Sequence, residues 1–160
     1  MSEKEFHTVR GYQTIKRQKQ LLSDSLEDYL EMIYRIILEN GYARVNQLAN
    51  KLNVNPSSVS KTLSKLAAKG IVQYEKYGII KLTPEGNEIG AYLLKRHNIV
   101  TKFFNIVSNN TSEQNFAEAE QAEHILSKST IIGLQTLLDF LETHEQQYTN
   151  FKNRSRKKDV

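Results

Sequence analysis

The sequence predicts a mainly α-helical protein that carries one short β-hairpin between its helices. Apolar residues recur at helical spacing over most of the 160 residues, as in the stripe of Leu26, Leu30, Ile33 and Ile37. Residues 71–83 are the exception, because two runs rich in β-branched residues lie there on either side of a turn. This order of elements indicates an N-terminal winged helix-turn-helix followed by a helical domain.

The composition is that of an ordinary globular chain, and it excludes several kinds of protein. Its length fits one domain or two small ones with a shared core. The absence of cysteine excludes disulfides, thiolate metal sites and a cysteine nucleophile. The sequence shows neither an apolar run long enough to cross a bilayer nor the apolar core of a signal peptide. We therefore expect a cytoplasmic protein.

The net charge of +4 conceals an uneven distribution of charged residues. Residues 44–81 contain seven basic residues and one acidic residue, whereas residues 23–43 and 82–148 are both net acidic. A basic segment between acidic ones predicts a surface that binds a polyanion such as nucleic acid. The predicted organisation is a basic arm (1–22), a winged helix-turn-helix domain (23–83), a second, helical domain (84–145) and a basic tail (146–160).

Three helices are predicted before the hairpin. Ser25 and Asp28 match a capping box at the start of the first helix, and Asn40-Gly41 ends it. Residues 43–52 are expected to form a short second helix. After a tight turn Pro56 opens the third, because proline is tolerated in the first helical turn.

The outward face of the third helix consists mostly of serine and lysine side chains. Such a face can enter the major groove, where serine reaches base edges or phosphates and lysine contacts phosphate or guanine. The hairpin after it would be the wing, which contacts backbone phosphates. The predicted DNA-contacting residues are Asn55, Pro56, Ser57, Ser58, Ser60, Lys61, Lys65 and, in the wing, Lys76. The alternative is a helical domain whose hairpin has no role in binding.

Three further helices are predicted after the hairpin, over residues 84 to about 107, about 113 to 128, and around 131–141. The last of these is so apolar that some of its surface is a candidate for an intermolecular contact. A symmetric dimer would cover that surface, and a winged helix commonly reads a two-fold site. Packing against residues 89–107 would cover it as well, and the sequence leaves both explanations open.

Acidic and histidine side chains recur at helical spacing in two places. Glu120, Glu123 and His124 lie three and four positions apart, so on a helix they share one face, and Asp28 and Glu31 do the same on the first helix. Carboxylates and imidazole together are suitable ligands for a divalent cation. The alternatives are a solvated acidic face with an isolated histidine, and first-turn acids that the helix dipole favours.

Six segments, taken in order, resemble the manganese-responsive branch of the diphtheria-toxin-repressor family. They are LEDYLEMIY (26–34), GYARV (41–45), NPSSV (55–59), YEKY (74–77), KRH (95–97) and EQAEH (120–124). No single segment is decisive, but the ordered set is specific and covers residues 23 to about 141. The resemblance implies a homodimer that binds a double-stranded DNA operator and represses metal-uptake genes when manganese is plentiful.

The resemblance also implies a site for a pair of metal ions in each subunit. The family's ligand positions fall on Asp28, Glu31, His97, Glu120, Glu123 and His124. Iron-type relatives have methionine and cysteine where this chain has Asp28 and Glu120, and oxygen ligands suit a harder ion such as Mn²⁺. Fe²⁺ and Zn²⁺ are the alternative cofactors, because intrinsic affinity alone favours zinc over manganese.

Two other functions fit parts of the sequence. A winged-helix regulator that ignores metal would leave the acids as surface residues, and chelators would not change its DNA binding. A dinuclear metal hydrolase could use the same carboxylates and histidines to hold a catalytic pair of ions. No separate general base or glycine-rich loop stands out, however, and the DNA-binding unit would have no role. We therefore expect a regulator and not an enzyme.

Overall fold

The computed structural model of the chain describes residues 21–74, 78–108 and 110–156. The chain divides into two compact units, residues 1–93 and 94–160. Most of the described residues are helical, as the sequence predicts. Among these residues, no helix combines the length and the apolar character that crossing a membrane would require.

The first unit contains the predicted helix-turn-helix and the predicted hairpin. Its elements are α1 (Asp24–Asn40), β1 (Ala43–Arg44), α2 (Val45–Leu52), α3 (Pro56–Ala68), β2 (Val72–Tyr74), β3 (Ile79–Leu82) and the start of α4 (Pro84–Val107). The tip of the hairpin, including the predicted contact Lys76, lies outside the described residues, as do residues 1–20.

Helix α1 begins two residues earlier than the predicted capping box requires. Ser23 is its N-cap and Ser25 already lies inside the helix, so the Ser25–Asp28 capping box is wrong. The end of the helix is as predicted, because Gly41 takes a left-handed φ of 78° and its N–H donates to Ile37 O at 2.8 Å. Glycine adopts this conformation without steric cost, which is why it commonly follows a helix.

Residues Ala43 and Arg44, predicted as the start of a helix, form a strand instead. The sheet has three antiparallel strands in the order β1-β3-β2, with Ala43 opposite Ile80 and Val72 opposite Leu82. A two-stranded hairpin is marginally stable on its own, and the added strand pairs the outer edge of β3. The pairing partner is distant in sequence, so local apolar spacing does not reveal it.

An apolar core joins α1, α2, α3 and the sheet in the first unit. Its most deeply buried large side chains include Leu30, Ile33, Ile36, Leu48, Val59, Leu63, Leu66, Ile71 and Ile80. Burying one such side chain stabilises the fold by about 1.5–3 kcal/mol. The start of α4 packs closely on this unit at two glycines: a Cβ on Gly86 would stand 2.0 Å from Ile71 O, and one on Gly90 would stand 2.8 Å from Tyr34 Cβ.

The second unit contains the rest of α4 and three more helices. These are α5 (Ser112–Ala122), a 3₁₀ turn (Glu123–Ile125), α6 (Lys128–Thr143) and α7 (Glu145–Arg156). The predicted single helix over 113–128 is wrong in its second half, because the backbone tightens at Glu123 and turns extended at Leu126. A core of Ile99, Val100, Ala119, Ile131 and Leu138 holds the unit together.

Helix α7, except for its first residue, falls within the segment that the sequence identified only as a basic tail. It is attached to the end of α4 by hydrogen bonds to backbone carbonyls. Tyr148 Oη donates to Ile106 O at 3.3 Å, and Lys152 Nζ donates to Ile106 O at 2.9 Å and to Ser108 O at 3.3 Å. A lysine at the C-terminal end of a helix interacts favourably with unpaired carbonyls and with the helix dipole.

Candidate metal site and DNA-binding surface

In the second unit, His97 lies where two of the predicted carboxylate ligands meet. It projects from α4, and its Nδ1 is 3.0 Å from Glu120 Oε1 and 3.0 Å from Glu123 Oε2. Glu120 comes from the last full turn of α5 and Glu123 from the 3₁₀ turn that follows. The imidazole is buried, and the ring of Phe116 contacts it edge-on at a centroid distance of 5.0 Å.

The arrangement of these three side chains suits a divalent cation. One imidazole nitrogen and two carboxylate oxygens are the ligand types that manganese and related ions use in proteins. Ligand atoms bound to one octahedral ion at about 2.1 Å stand about 3 Å apart when they are at right angles. The 3.0 Å spacing around His97 Nδ1 is of that size. The group therefore fits a metal both in chemistry and in spacing.

The other ring nitrogen of His97 faces a hydroxyl group. Thr101 Oγ1 lies 3.3 Å from His97 Nε2, one helical turn further along α4. Metal-binding histidines usually make a hydrogen bond through the second nitrogen, because that bond orients the ring. Thr101 is therefore positioned to orient His97, a role that the sequence did not indicate.

Arg96 is a second residue of this site that sequence analysis did not single out. Its guanidinium is buried, and Nη2 lies 3.2 Å from Glu123 Oε1 and 3.3 Å from His124 Nδ1. Glu123 is 1% exposed, and a carboxylate removed from water in this way requires a counter-charge or strong hydrogen bonds. The signal in the sequence was a basic residue directly before His97, but adjacency alone does not show which partner it contacts.

His124 is the last predicted ligand of the second unit. Spacing predicts that it faces the same way as Glu120 and Glu123, and its Nδ1 lies 3.3 Å from Arg96 Nη2, the atom that Glu123 Oε1 also contacts. It belongs to the 3₁₀ turn and is half-buried.

The two predicted ligands of the first unit lie three residues apart on α1. Glu31 is 7% exposed and accepts hydrogen bonds on Oε1 from Arg35 Nε at 2.9 Å and Arg35 Nη2 at 2.6 Å. Asp28 is half-buried. An arginine thus supplies the counter-charge for this buried carboxylate, as Arg96 does for Glu123.

The face of α3 that was predicted to contact DNA is open to solvent. Val59, Leu63 and Leu66 anchor the helix in the core, which leaves the opposite side outward. The exposed predicted contacts are Asn55, Pro56, Ser57, Ser58, Lys61 and Lys65. Ser60 is half-buried and its hydroxyl donates to Pro56 O at 3.1 Å.

Comparison with known proteins identifies the class to which this fold and site belong. Residues 21–80 match the iron-dependent repressor N-terminal DNA-binding domain. Residues 83–151 match the iron-dependent repressor metal-binding and dimerisation domain. Together these matches span most of the chain. The chain therefore belongs to the iron-dependent repressor family of metal-dependent, DNA-binding transcriptional regulators.

Individual relatives agree with this assignment. The transcriptional regulator MntR of Geobacillus thermodenitrificans is 38% identical over 129 residues, which is 81% of this chain and 91% of the relative. The structure of the manganese regulator SloR aligns with a TM-score of 0.64 and 28% identity, over 72% of this chain and 54% of that one. The structure of ScaR with bound Zn²⁺ aligns with a TM-score of 0.60 and 28% identity over the same shares. The chain thus spans about half the length of these two structural relatives.

The family assignment decides among the functions that the sequence left open. The chain is a DNA-binding repressor with a dimerisation domain, so its partners are operator DNA and a second copy of itself. It is a regulator and not an enzyme, and the hydrolase alternative is wrong. It binds divalent metal through its metal-binding domain, which makes metal-independent regulation the poorer explanation.

Proposed function

We propose that this protein senses manganese in the cytoplasm and represses genes for metal-ion uptake when manganese is plentiful. The observation that carries the proposal is the convergence of His97 Nδ1, Glu120 Oε1 and Glu123 Oε2 within the second unit. The names of relatives, among them a manganese regulator, support manganese as the signal. Zinc and ferrous iron are competing ions, and selectivity depends on coordination geometry and metal availability, since intrinsic affinity favours zinc.

The proposed ligands are those that the resemblance implies, and they hold a pair of ions in each subunit. They are Asp28, Glu31, His97, Glu120, Glu123 and His124. In this proposal residues 23–83 form the DNA-binding domain and residues 84–145 the metal-binding and dimerisation domain. Oxygen at positions 28 and 120 favours a hard ion, which supports manganese as the physiological metal.

Helix α1 connects metal binding to DNA binding in the proposed mechanism. It carries Asp28 and Glu31, and its apolar side packs into the core that also anchors α3. When bound, divalent cations supply positive charge that offsets the repulsion among the ligand carboxylates. Restraining Asp28 and Glu31 would then restrain α1 and favour the DNA-binding dimer. Because the two equilibria are linked, operator DNA must raise metal affinity by the same factor.

DNA recognition in this proposal uses the exposed side of α3 in the major groove. Ser57 and Ser58 contact base edges, and Lys61 and Lys65 contact phosphates or guanine. The remaining proposed contacts are Asn55, Pro56, Ser60 and, in the wing, Lys76.

The test of the metal site is a Mn²⁺ titration of the full chain by isothermal calorimetry. Glu120→Ala is expected to weaken binding by about tenfold or more, because it removes one directly coordinating carboxylate. Glu118→Ala is the matched control, since Glu118 is an exposed carboxylate on the same helix and accepts a hydrogen bond from Asn110 Nδ2 at 3.0 Å. Equal affinities of the wild type and Glu120→Ala would contradict the proposed ligand set.

A further inference from the structure

We infer that Arg96 is a built-in counter-cation that holds His124 away from metal coordination and thereby sets the metal concentration at which the site fills. This inference rests on the proposed metal site. It concerns a residue that is not itself a ligand. Arg96 acts through Glu123 and His124, so it is a positioning residue.

The two oxygens of Glu123 face different partners. Oε2 lies 3.0 Å from His97 Nδ1 and belongs to the group of converging ligand atoms. Oε1 lies 3.2 Å from Arg96 Nη2. A cation bound among His97, Glu120 and Glu123 Oε2 can therefore leave the Arg96–Glu123 ion pair in place. Coordination by this group does not require Arg96 to move.

The situation of His124 is different, because Arg96 contacts one of the two ring nitrogens of His124 directly. The distance from Arg96 Nη2 to His124 Nδ1 is 3.3 Å. A guanidinium only donates hydrogen bonds, so Nδ1 must accept, and the neutral ring then carries its hydrogen on Nε2. Neither nitrogen has a lone pair available for a metal while this contact persists. Coordination by His124 therefore requires Arg96 to release it.

In the metal-free protein, buried carboxylates need a counter-charge, and arginine supplies it in both units. Glu31 and Glu123 are the buried carboxylates among the residues that the structure describes, and each is paired with an arginine. An unpaired buried carboxylate would be strongly destabilising. Arginine stays protonated throughout the physiological range and can satisfy both oxygens and a neighbouring acceptor. The arginine that stabilises the metal-free fold through Glu123 is thus the same residue that opposes full metal coordination through His124.

Removing Arg96 should therefore have opposite effects on two measurable quantities. Arg96→Met keeps the length of the side chain but removes its charge and its hydrogen bonds. Mn²⁺ should bind about tenfold more tightly, because a charge-assisted hydrogen bond no longer has to break and the site becomes more negative. The midpoint of thermal unfolding of the metal-free protein should fall by roughly 5–10 °C, because Glu123 loses its counter-charge.

The experiment compares metal-free full-length wild type, Arg96→Met and the control Lys102→Met by calorimetric Mn²⁺ titration and thermal unfolding. Lys102 also lies on α4 but forms an exposed ion pair with Glu142, so its removal changes the net charge equally without touching the site. Lys102→Met should change neither the Mn²⁺ affinity nor the midpoint of thermal unfolding appreciably. If Arg96→Met does not fold, Arg96→Lys takes its place, because an ammonium group keeps the charge but lacks the planar fork. Arg96→Lys should tighten Mn²⁺ binding less than is expected for Arg96→Met.

A second comparison tests the contact with His124. When His124 has already been replaced by alanine, Arg96→Met should produce a clearly smaller gain in Mn²⁺ affinity. The reason is that the imidazole held by Arg96 is then absent. A gain of the same size in both backgrounds would overturn the assignment. So would unchanged or weaker binding by Arg96→Met when the wild type binds Mn²⁺, since a purely structural arginine would lower stability and affinity together. A wild type that binds no Mn²⁺ would instead overturn the proposed function itself.

Discussion

At the scale of single residues, Glu123 shows what helical spacing reveals and what it does not. Spacing grouped Glu120, Glu123 and His124 on one face, and two of them do reach the same atom of His97. It could not pair His124 with Arg96, because that contact joins α4 to a turn 28 positions further along the chain. It also missed the 3₁₀ turn, since the backbone tightens without any glycine or proline to mark it.

The DNA-binding assignment is testable at single residues of α3. Lys61→Ala should weaken binding to all duplexes about equally and lower the slope of log affinity against log salt by about one, because it removes a phosphate contact. Ser57→Ala should leave that slope unchanged but alter the preference for a base pair by about 1–3 kcal/mol. Both are measured by fluorescence anisotropy in a salt series.

Lys102→Ala serves as the control, because it removes the same positive charge as Lys61→Ala. Lys102 lies on α4 and is paired with Glu142. If neither Lys61→Ala nor Ser57→Ala changed DNA binding relative to this control, another surface of the protein would have to enter the groove.

At the scale of elements, the sequence predicted the helices that have a regular apolar stripe and missed the elements that depend on distant partners. Helix α4 and helix α6 follow their stripes. Strand β1 consists of only two residues and owes its conformation to pairing with β3. Helix α7 is polar, and its hydrogen bonds run to carbonyls of Ile106 and Ser108 more than 40 positions earlier.

The close packing at the start of α4 leads to a stability prediction. Gly86→Ala should lower the free energy of unfolding by about 1–3 kcal/mol or more, because its Cβ would stand 2.0 Å from a backbone oxygen that cannot move aside alone. Gly133→Ala, in α6, should raise it by about 0.5–1 kcal/mol, because nothing lies within 4 Å of the added Cβ and alanine favours the helix.

Urea denaturation of the metal-free protein measures both changes. Two alanine substitutions with the same effect would show that helix propensity, and not the approach of α4 to Ile71, decides the outcome.

At the scale of the whole molecule, the distribution of charge along the chain agrees with the function of the iron-dependent repressor family. The basic segment of residues 44–81 contains α3, and the net-acidic stretches on either side of it contain the proposed metal ligands. A repressor that dimerises through one domain and binds DNA through the other can couple a metal signal to operator affinity. The size of that coupling cannot be read from apolar patterns or from one chain, because it is a difference between two states.

The central claim is that manganese tightens operator binding, and one measurement tests it most directly. Fluorescence anisotropy of labelled genomic fragments is recorded against protein concentration at increasing Mn²⁺, with Fe²⁺ and Zn²⁺ in parallel and a chelator added at the end. We expect DNA affinity to rise by about 10- to 100-fold with Mn²⁺ and to return to its starting value when the metal is removed. Equal affinity at every metal concentration, with and without the chelator, would contradict a manganese-controlled repressor.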